Sequence, residues 1–149
     1  MFQITSFIMS ELKAKDIRKN YFVILNQRPS EIICVEYSKC KQTIIHLQGI
    51  DLINLNKYNW IGLKEHRFIQ FEPIKMYYQI IHVENNDIEC LDENLSTKKF
   101  NFNCEDEIKT QIINLIEDNT LEIEILFAPT EKNNNIQIDY RVVSFEIID

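Results

Sequence analysis

The 149-residue chain has only two glycines and three prolines, well under the roughly 7% and 5% of average usage, and a disordered chain is not expected. Its four cysteines, Cys34, Cys40, Cys90 and Cys104, are scattered without a C-x-x-C pair. They read as reduced thiols packed as small apolar groups, not as a disulfide frame or a zinc site. No run of about 18 apolar residues occurs, so no segment is expected to span a membrane. The partly apolar stretch from Met1 to Met9 has neither a basic n-region nor a small-residue cleavage site. A secretory signal is therefore not expected, and a cytoplasmic location is. The phosphate-cradling G-x-x-x-x-G-K-[ST], the dinucleotide G-x-G-x-x-G and the nucleophile-elbow G-x-S-x-G are all missing. His46, His66 and His82 fall in or beside different strand-like runs and read as structural. The acidic pairs Asp92-Glu93 and Glu117-Asp118 sit at the ends of expected elements and read as solvated charge. No catalytic residue, metal ligand or cofactor is expected, and the chain does not read as an enzyme.

What is present is an ordinary globular composition, 45% hydrophobic and 26% charged, enough apolar material for a buried core. The net charge of −7 hides an asymmetry: residues 1–74 carry +3 and residues 75–149 carry −10. The change of sign near Pro73 suggests two small domains, 1–73 and 74–149, each of the size a small β-barrel needs.

Residues 1–73 hold short β-branched and aromatic runs at Tyr21–Leu25, Glu31–Tyr37, Thr43–Ile50, Trp60–Leu63 and Arg67–Phe71, which suit a five-stranded barrel. Residues 74–149 open with strands at Met76–Val83, Ile88–Leu91 and Lys99–Phe102 and then change period. Ile108, Ile112, Leu115 and Ile116 mark one amphipathic helix, with Asn103 as candidate N-cap. Alternation resumes in Leu121–Phe127, and a last pattern runs from Ile136 to Ile148. Three strands, a helix and further strands is the order of an OB-type barrel. Trp60 and Tyr77-Tyr78 read as core or domain-junction packing and not as a base-stacking platform.

The block Ile17-Arg18-Lys19-Asn20, Phe22-Val23-Ile24-Leu25, Arg28-Pro29, Ser38-Lys39-Cys40-Lys41-Gln42 and His46-Leu47-Gln48-Gly49-Ile50-Asp51 resembles the first domain of the eukaryotic and archaeal translation initiation factor 5A family, relatives of bacterial elongation factor P. The order of elements in the second half is similar to that family's second domain, so the resemblance covers about Asp16 to Ile138. It implies a mostly β fold, an SH3-like barrel followed by an OB-fold with one α-helix. Residues beyond Ile138 exceed the family's usual end and read as an added strand, and Tyr21 and Gln27 stand where the family keeps glycine.

In that family a lysine at the tip of the hairpin is converted to hypusine and reaches the peptidyl end of a ribosome-bound tRNA. The family turn is close to S-K-T-G-K-H-G-H-A, and the turn here lacks three residues, both glycines among them. Lys39 matches the first family lysine and Lys41 the modified one. Three fewer residues shared over two arms withdraw the tip by roughly 5 Å, at about 3.3 Å per strand residue. Two readings of Lys41 stay open, a hypusine site and a bare solvated lysine. Arg18, Lys19, Arg28 and Lys39 are candidate RNA contacts, and Lys57, Lys64 and Arg67 could add to them if clustered on one face. The partners implied are the ribosome, through its RNA and proteins, peptidyl-tRNA and, where Lys41 is modified, deoxyhypusine synthase. The function implied is that of a ribosome-binding factor near the exit-site tRNA that assists peptide-bond formation. Its alternatives are a non-catalytic occupant of idle ribosomes without hypusine, and an interaction module that binds proteins through its acidic barrel.

Overall fold

The computed structural model describes residues 6–39 and 41–148. The strands are β1 (Met9–Lys13), β2 (Phe22–Leu25), β3 (Arg28–Lys39), β4 (Thr43–Asp51), β5 (Lys57–Leu63), β6 (Arg67–Phe71), β7 (Ile74–Glu84), β8 (Asp87–Leu91), β9 (Thr97–Asn101), β10 (Leu121–Lys132) and β11 (Asn135–Ile147), with one helix, α1 (Asp106–Leu115). They form two sheets, in the orders β1-β6-β2-β3-β4-β5 and β11-β10-β7-β8-β9. This is the mostly β, two-part architecture that the sequence suggested.

The chain divides into two compact units. The first is Ser6–Pro73 with Ala128–Asp139, and the second is Ile74–Phe127 with the residues from Tyr140 onward. Residues 128–139, the end of the β10–β11 hairpin, thus belong with the first unit although they lie in the acidic half of the sequence. Lys132 against Glu131 and Asp139 lowers the charge of residues 6–73 from +3 to +2 for the whole first unit.

The core of the first unit is Ala14, Ile17, Val23, Leu25, Ile32, Ile45, Leu47 and Phe68, apolar side chains that contribute about 1.5–3 kcal/mol each when large and fully buried. Along β3 the inward face changes parity. Ser30 and Ile32 are buried, a register shift falls between Ile32 and Cys34, and Val35 then packs on the core. One extra residue on β3 has moved the apolar positions from even to odd, as a β-bulge does. The strand β1 was not expected from the sequence, and none of its residues is fully buried. It exists through pairing with β6, Met9 to Phe71 through Lys13 to Arg67.

In the second unit Leu121, Ile123 and Ile125 are fully buried while Glu122 and Glu124 face outward, the alternation read from the sequence. Helix α1 buries Ile112 completely. Its N-cap is Glu105, with no side-chain cap bond, and not the expected Asn103, whose side-chain amide donates instead to the Tyr140 carbonyl at 2.9 Å. The residues after Ile138 are not an added strand. They are the second part of β11, and Val142 is fully buried. Val142 N donates to the Asn103 carbonyl at 2.8 Å and Asn101 N to the Tyr140 hydroxyl at 2.6 Å, so the two ends of the sheet are joined.

The scarcity of glycine has a structural counterpart. The described residues with φ between 51° and 74° are Asn20, Asn26, Gln27, Leu55, Asn85, Leu95, Asn133 and Asn134, and no glycine is among them. Asparagine tolerates this left-handed region better than most residues. Gly62 serves space instead: a Cβ there would lie 2.4 Å from the indole of Trp60.

Candidate functional site: the lysine hairpin

Strands β3 and β4 pair from Ser30–Asp51 to Lys39–Thr43, leaving a three-residue connection at the tip. Cys40, one of its three residues, lies outside the described residues. Lys39, Lys41 and Gln42 are exposed. Lys41 lines an open concavity of about 410 Å³ with Gln42, Thr43, Leu63, Lys64 and Glu65. The turn after β5 is therefore the neighbour of the hairpin tip.

That neighbour is itself anchored. Ala14 N donates to the His66 carbonyl at 2.8 Å and Lys15 N to the Lys64 carbonyl at 3.1 Å, which brings the short 3-10 turn Ala14–Asp16 alongside. Lys13 Nζ then meets a Glu65 oxygen at 2.7 Å and Lys15 Nζ the other at 3.9 Å. The Lys13 ammonium holds the Glu65 carboxyl below its usual range, as a hydrogen-bonded cation does. Three lysines, 13, 15 and 64, thus act on one carboxylate, and Lys41 lines the same concavity. The excess positive charge suits a polyanion whose phosphates can be met by several ammonium groups together.

The residues singled out from the sequence do not all join this cluster. Lys39 and Lys41 are at the tip, and Lys64 is beside it. Arg18 and Lys19 are exposed but sit in a turn tied to Ile32, through Asn20 N to the Ile32 carbonyl at 2.7 Å and Ile32 N to the Tyr21 carbonyl at 2.8 Å. Ile32 is seven residues down β3 from Lys39, roughly 23 Å at about 3.3 Å per residue. Arg28 is engaged internally. Its Nε donates to Asp51 Oδ2 at 2.6 Å, Asp51 is fully buried, and Nη2 lies 3.7 Å from Asp139. The Asp51 hydrogen bond holds the guanidinium in its charged form. Arg28 is a structural ion-pair partner in this arrangement. Lys13 and Lys15 were missed by sequence reasoning. Their alternation around the fully buried Ala14 was the available signal.

Among the described residues no three His, Cys, Asp or Glu side chains come together as a metal-binding group, and Cys34, Cys90 and Cys104 are free thiols. Burial pushes the Cys90 thiol up to about 12 and raises Cys104 as well, which keeps both protonated and poorly nucleophilic near neutral pH. No helix among the described residues is long and apolar enough to cross a membrane.

Compared with known proteins, the chain matches no protein-family model and no curated protein. Solved structures do match. A translation initiation factor 5A family protein from Naegleria fowleri superposes with a TM-score of 0.76 at 17% identity, over 93% of this chain and 98% of that one. A eukaryotic translation initiation factor 5A from Methanococcus jannaschii superposes with a TM-score of 0.60 at 14% identity, over 91% of this chain and 98% of its own. The chain has the two-part fold of these factors over nearly its whole length.

Proposed function

We propose that this chain is a cytoplasmic translation factor of the 5A type that binds the ribosome near the exit-site tRNA. It places its lysine hairpin toward peptidyl-tRNA and acts without a catalytic group of its own. The observation that carries the reading is the fold, similar to two such factors over 93% and 91% of the chain, together with a hairpin in the first unit that ends in exposed Lys39 and Lys41. Lys13, Lys15, Lys41 and Lys64 meet RNA phosphates, each contact adding a salt-dependent increment. Assistance to peptide-bond formation is positional. A lysine held at a fixed place against the tRNA end reduces the freedom that slow donor and acceptor pairs must otherwise lose. Hypusine on Lys41, installed by deoxyhypusine synthase, would lengthen that reach and offset the short turn.

The three-residue connection favours a second reading, a factor that occupies idle ribosomes and has given up the lysine chemistry. Two measurements on protein from its native source separate these. The first is the mass of the peptide from Pro29 to Lys57; the second is co-sedimentation with translating and with idle ribosomes. A hypusine-sized addition on Lys41 and a place in polysomes support the first reading. A bare lysine and association confined to idle monosomes support the second. Absence from ribosomes of both kinds sinks the translation reading altogether.

A further inference from the structure

A second concavity of the first unit, of about 380 Å³, lies between β5 and β6 and is bounded by the β2–β3 turn and by Glu131. Its size is within the roughly 300–1,000 Å³ of small-molecule sites. Three rings form one wall. Trp60, His66 and Phe68 have centroids 4.8–5.0 Å apart in all three pairings, with Trp60 edge-on to Phe68. Phe68 is buried, whereas Trp60 is only half-buried and His66 is exposed. The indole is laid down over Gly62, where any Cβ would collide with it. Trp60 is thus fixed by packing, and it still bounds an open pocket, which departs from the expectation that it offers no stacking platform.

The rim is polar and unusual. Asn26 and Gln27 form the two-residue β2–β3 turn with φ of 51° and 70°. Glutamine in the left-handed region is strained where glycine would not be, yet Gln27 lines the pocket. Opposite it, Glu131 is fixed to the same turn by its backbone N–H, which donates to the Gln27 carbonyl at 3.1 Å. Arg67 lines the pocket with a side chain 63% exposed, in a 3.8 Å ion pair with the exposed Glu11.

We propose that this pocket takes an unpaired nucleobase of single-stranded RNA. The ring stacks against Trp60 and His66, Arg67 meets the adjoining phosphate, and Gln27 with Glu131 reads the base edge. A carboxylate accepts and does not donate, so bases carrying an exocyclic amino group are preferred and uracil binds least. Guanine, with two adjacent N–H donors, is the best match to Glu131. The inference stands apart from the lysine hairpin and from any role in translation.

Trp60 is the only tryptophan, so stacking on it is read directly as quenching of intrinsic fluorescence in the full chain. Short guanine-rich single strands should quench, with uridine oligomers about tenfold weaker. His66→Ala should weaken binding about fivefold or more. Gln27→Gly is the decisive variant, since it relieves backbone strain: it should raise the melting temperature and yet weaken guanine-rich RNA about three- to tenfold. Four results overturn the proposal: no quenching at millimolar oligonucleotide, equal quenching by duplex RNA, parent-like binding by both variants, or quenching only by an arginine- or proline-rich peptide.

Discussion

The two units contain similar aspartate-capped loops, the first one residue longer, built in different surroundings. In the first, Asp51 at the end of β4 accepts the backbone N–H groups of Ile53 and Asn54 at 2.8 and 3.2 Å. Its carbonyl receives Leu55 N at 2.9 Å. In the second, Asp92 after β8 accepts Asn94 N and Ser96 N, both at 2.9 Å, and its carbonyl receives Leu95 N at 3.0 Å. Each loop closes through the aspartate N–H, Asp51 N donating to the Asn56 carbonyl at 2.8 Å and Asp92 N to the Ser96 carbonyl at 3.0 Å. Each carries a leucine in the left-handed region, Leu55 at 65° and Leu95 at 63°. The larger difference is burial. Asp51 is wholly inaccessible and bound to Arg28, whereas Asp92 is partly exposed. An aspartate that merely shapes a turn in one unit is the anchor of an ion pair in the other.

The comparison breaks most severely at Asp51. Asp51→Ala removes the acceptor of two N–H groups and leaves Arg28, whose side chain is 28% exposed, with only the 3.7 Å contact to Asp139. Loss of one partner from a buried pair destabilises by about 3–5 kcal/mol. Urea unfolding of the full chain, followed by the fluorescence of Trp60 in the first unit, measures it. The double variant Asp51→Ala, Arg28→Met should lose less than the two single losses added together, because the second change removes the charge that the first leaves uncompensated. Additive losses would mean that the two side chains act separately.

Asp92→Ala is the matching change in the second unit, with no buried charge at stake. Two capping bonds to exposed backbone are lost, and about 1 kcal/mol is expected, as for a helix N-cap. Protection of the Asn94 and Ser96 amides against hydrogen exchange should fall before global stability does. An effect as large as that of Asp51→Ala would show that burial is not what separates the two loops.

The same contrast explains what could be read from the sequence. Period carried the strands and the helix: Leu121, Ile123 and Ile125 alternate, and Ile112 lies on the apolar stripe of α1. What local pattern could not carry was pairing between distant residues. Arg28 looked like any other exposed cation, since its partners Asp51 and Asp139 are far along the chain. Asp51, followed by Leu52-Ile53-Asn54-Leu55, and Asp92, followed by Glu93-Asn94-Leu95, each precede an asparagine-leucine pair, and nothing local marks only the first as an ion-pair anchor. Strand β1 and the lysines at 13 and 15 were hidden for the same reason, as β6 and Glu65 give them their places. At the hairpin, Lys39 and Lys41 were legible because sequence neighbours form that tip, while Arg18 and Lys19 were separated from it by the length of β3.

The smallest expected effect is also the sharpest probe of the leucines. A leucine at positive φ is strained, and replacement by glycine relieves the strain while loosening the unfolded chain, a net gain of about 0.5–1 kcal/mol where nothing else is lost. Leu95 is 77% exposed, so Leu95→Gly should realise most of that gain. Leu55 is 42% exposed and gives up more apolar contact, so Leu55→Gly should come out nearer to zero. Melting temperatures of the two variants, measured side by side, test the order. If Leu55→Gly proved the more stabilising, strain in the buried-aspartate loop would exceed strain in the exposed one, and the Asp51–Arg28 pair would be holding that loop against its own backbone preference.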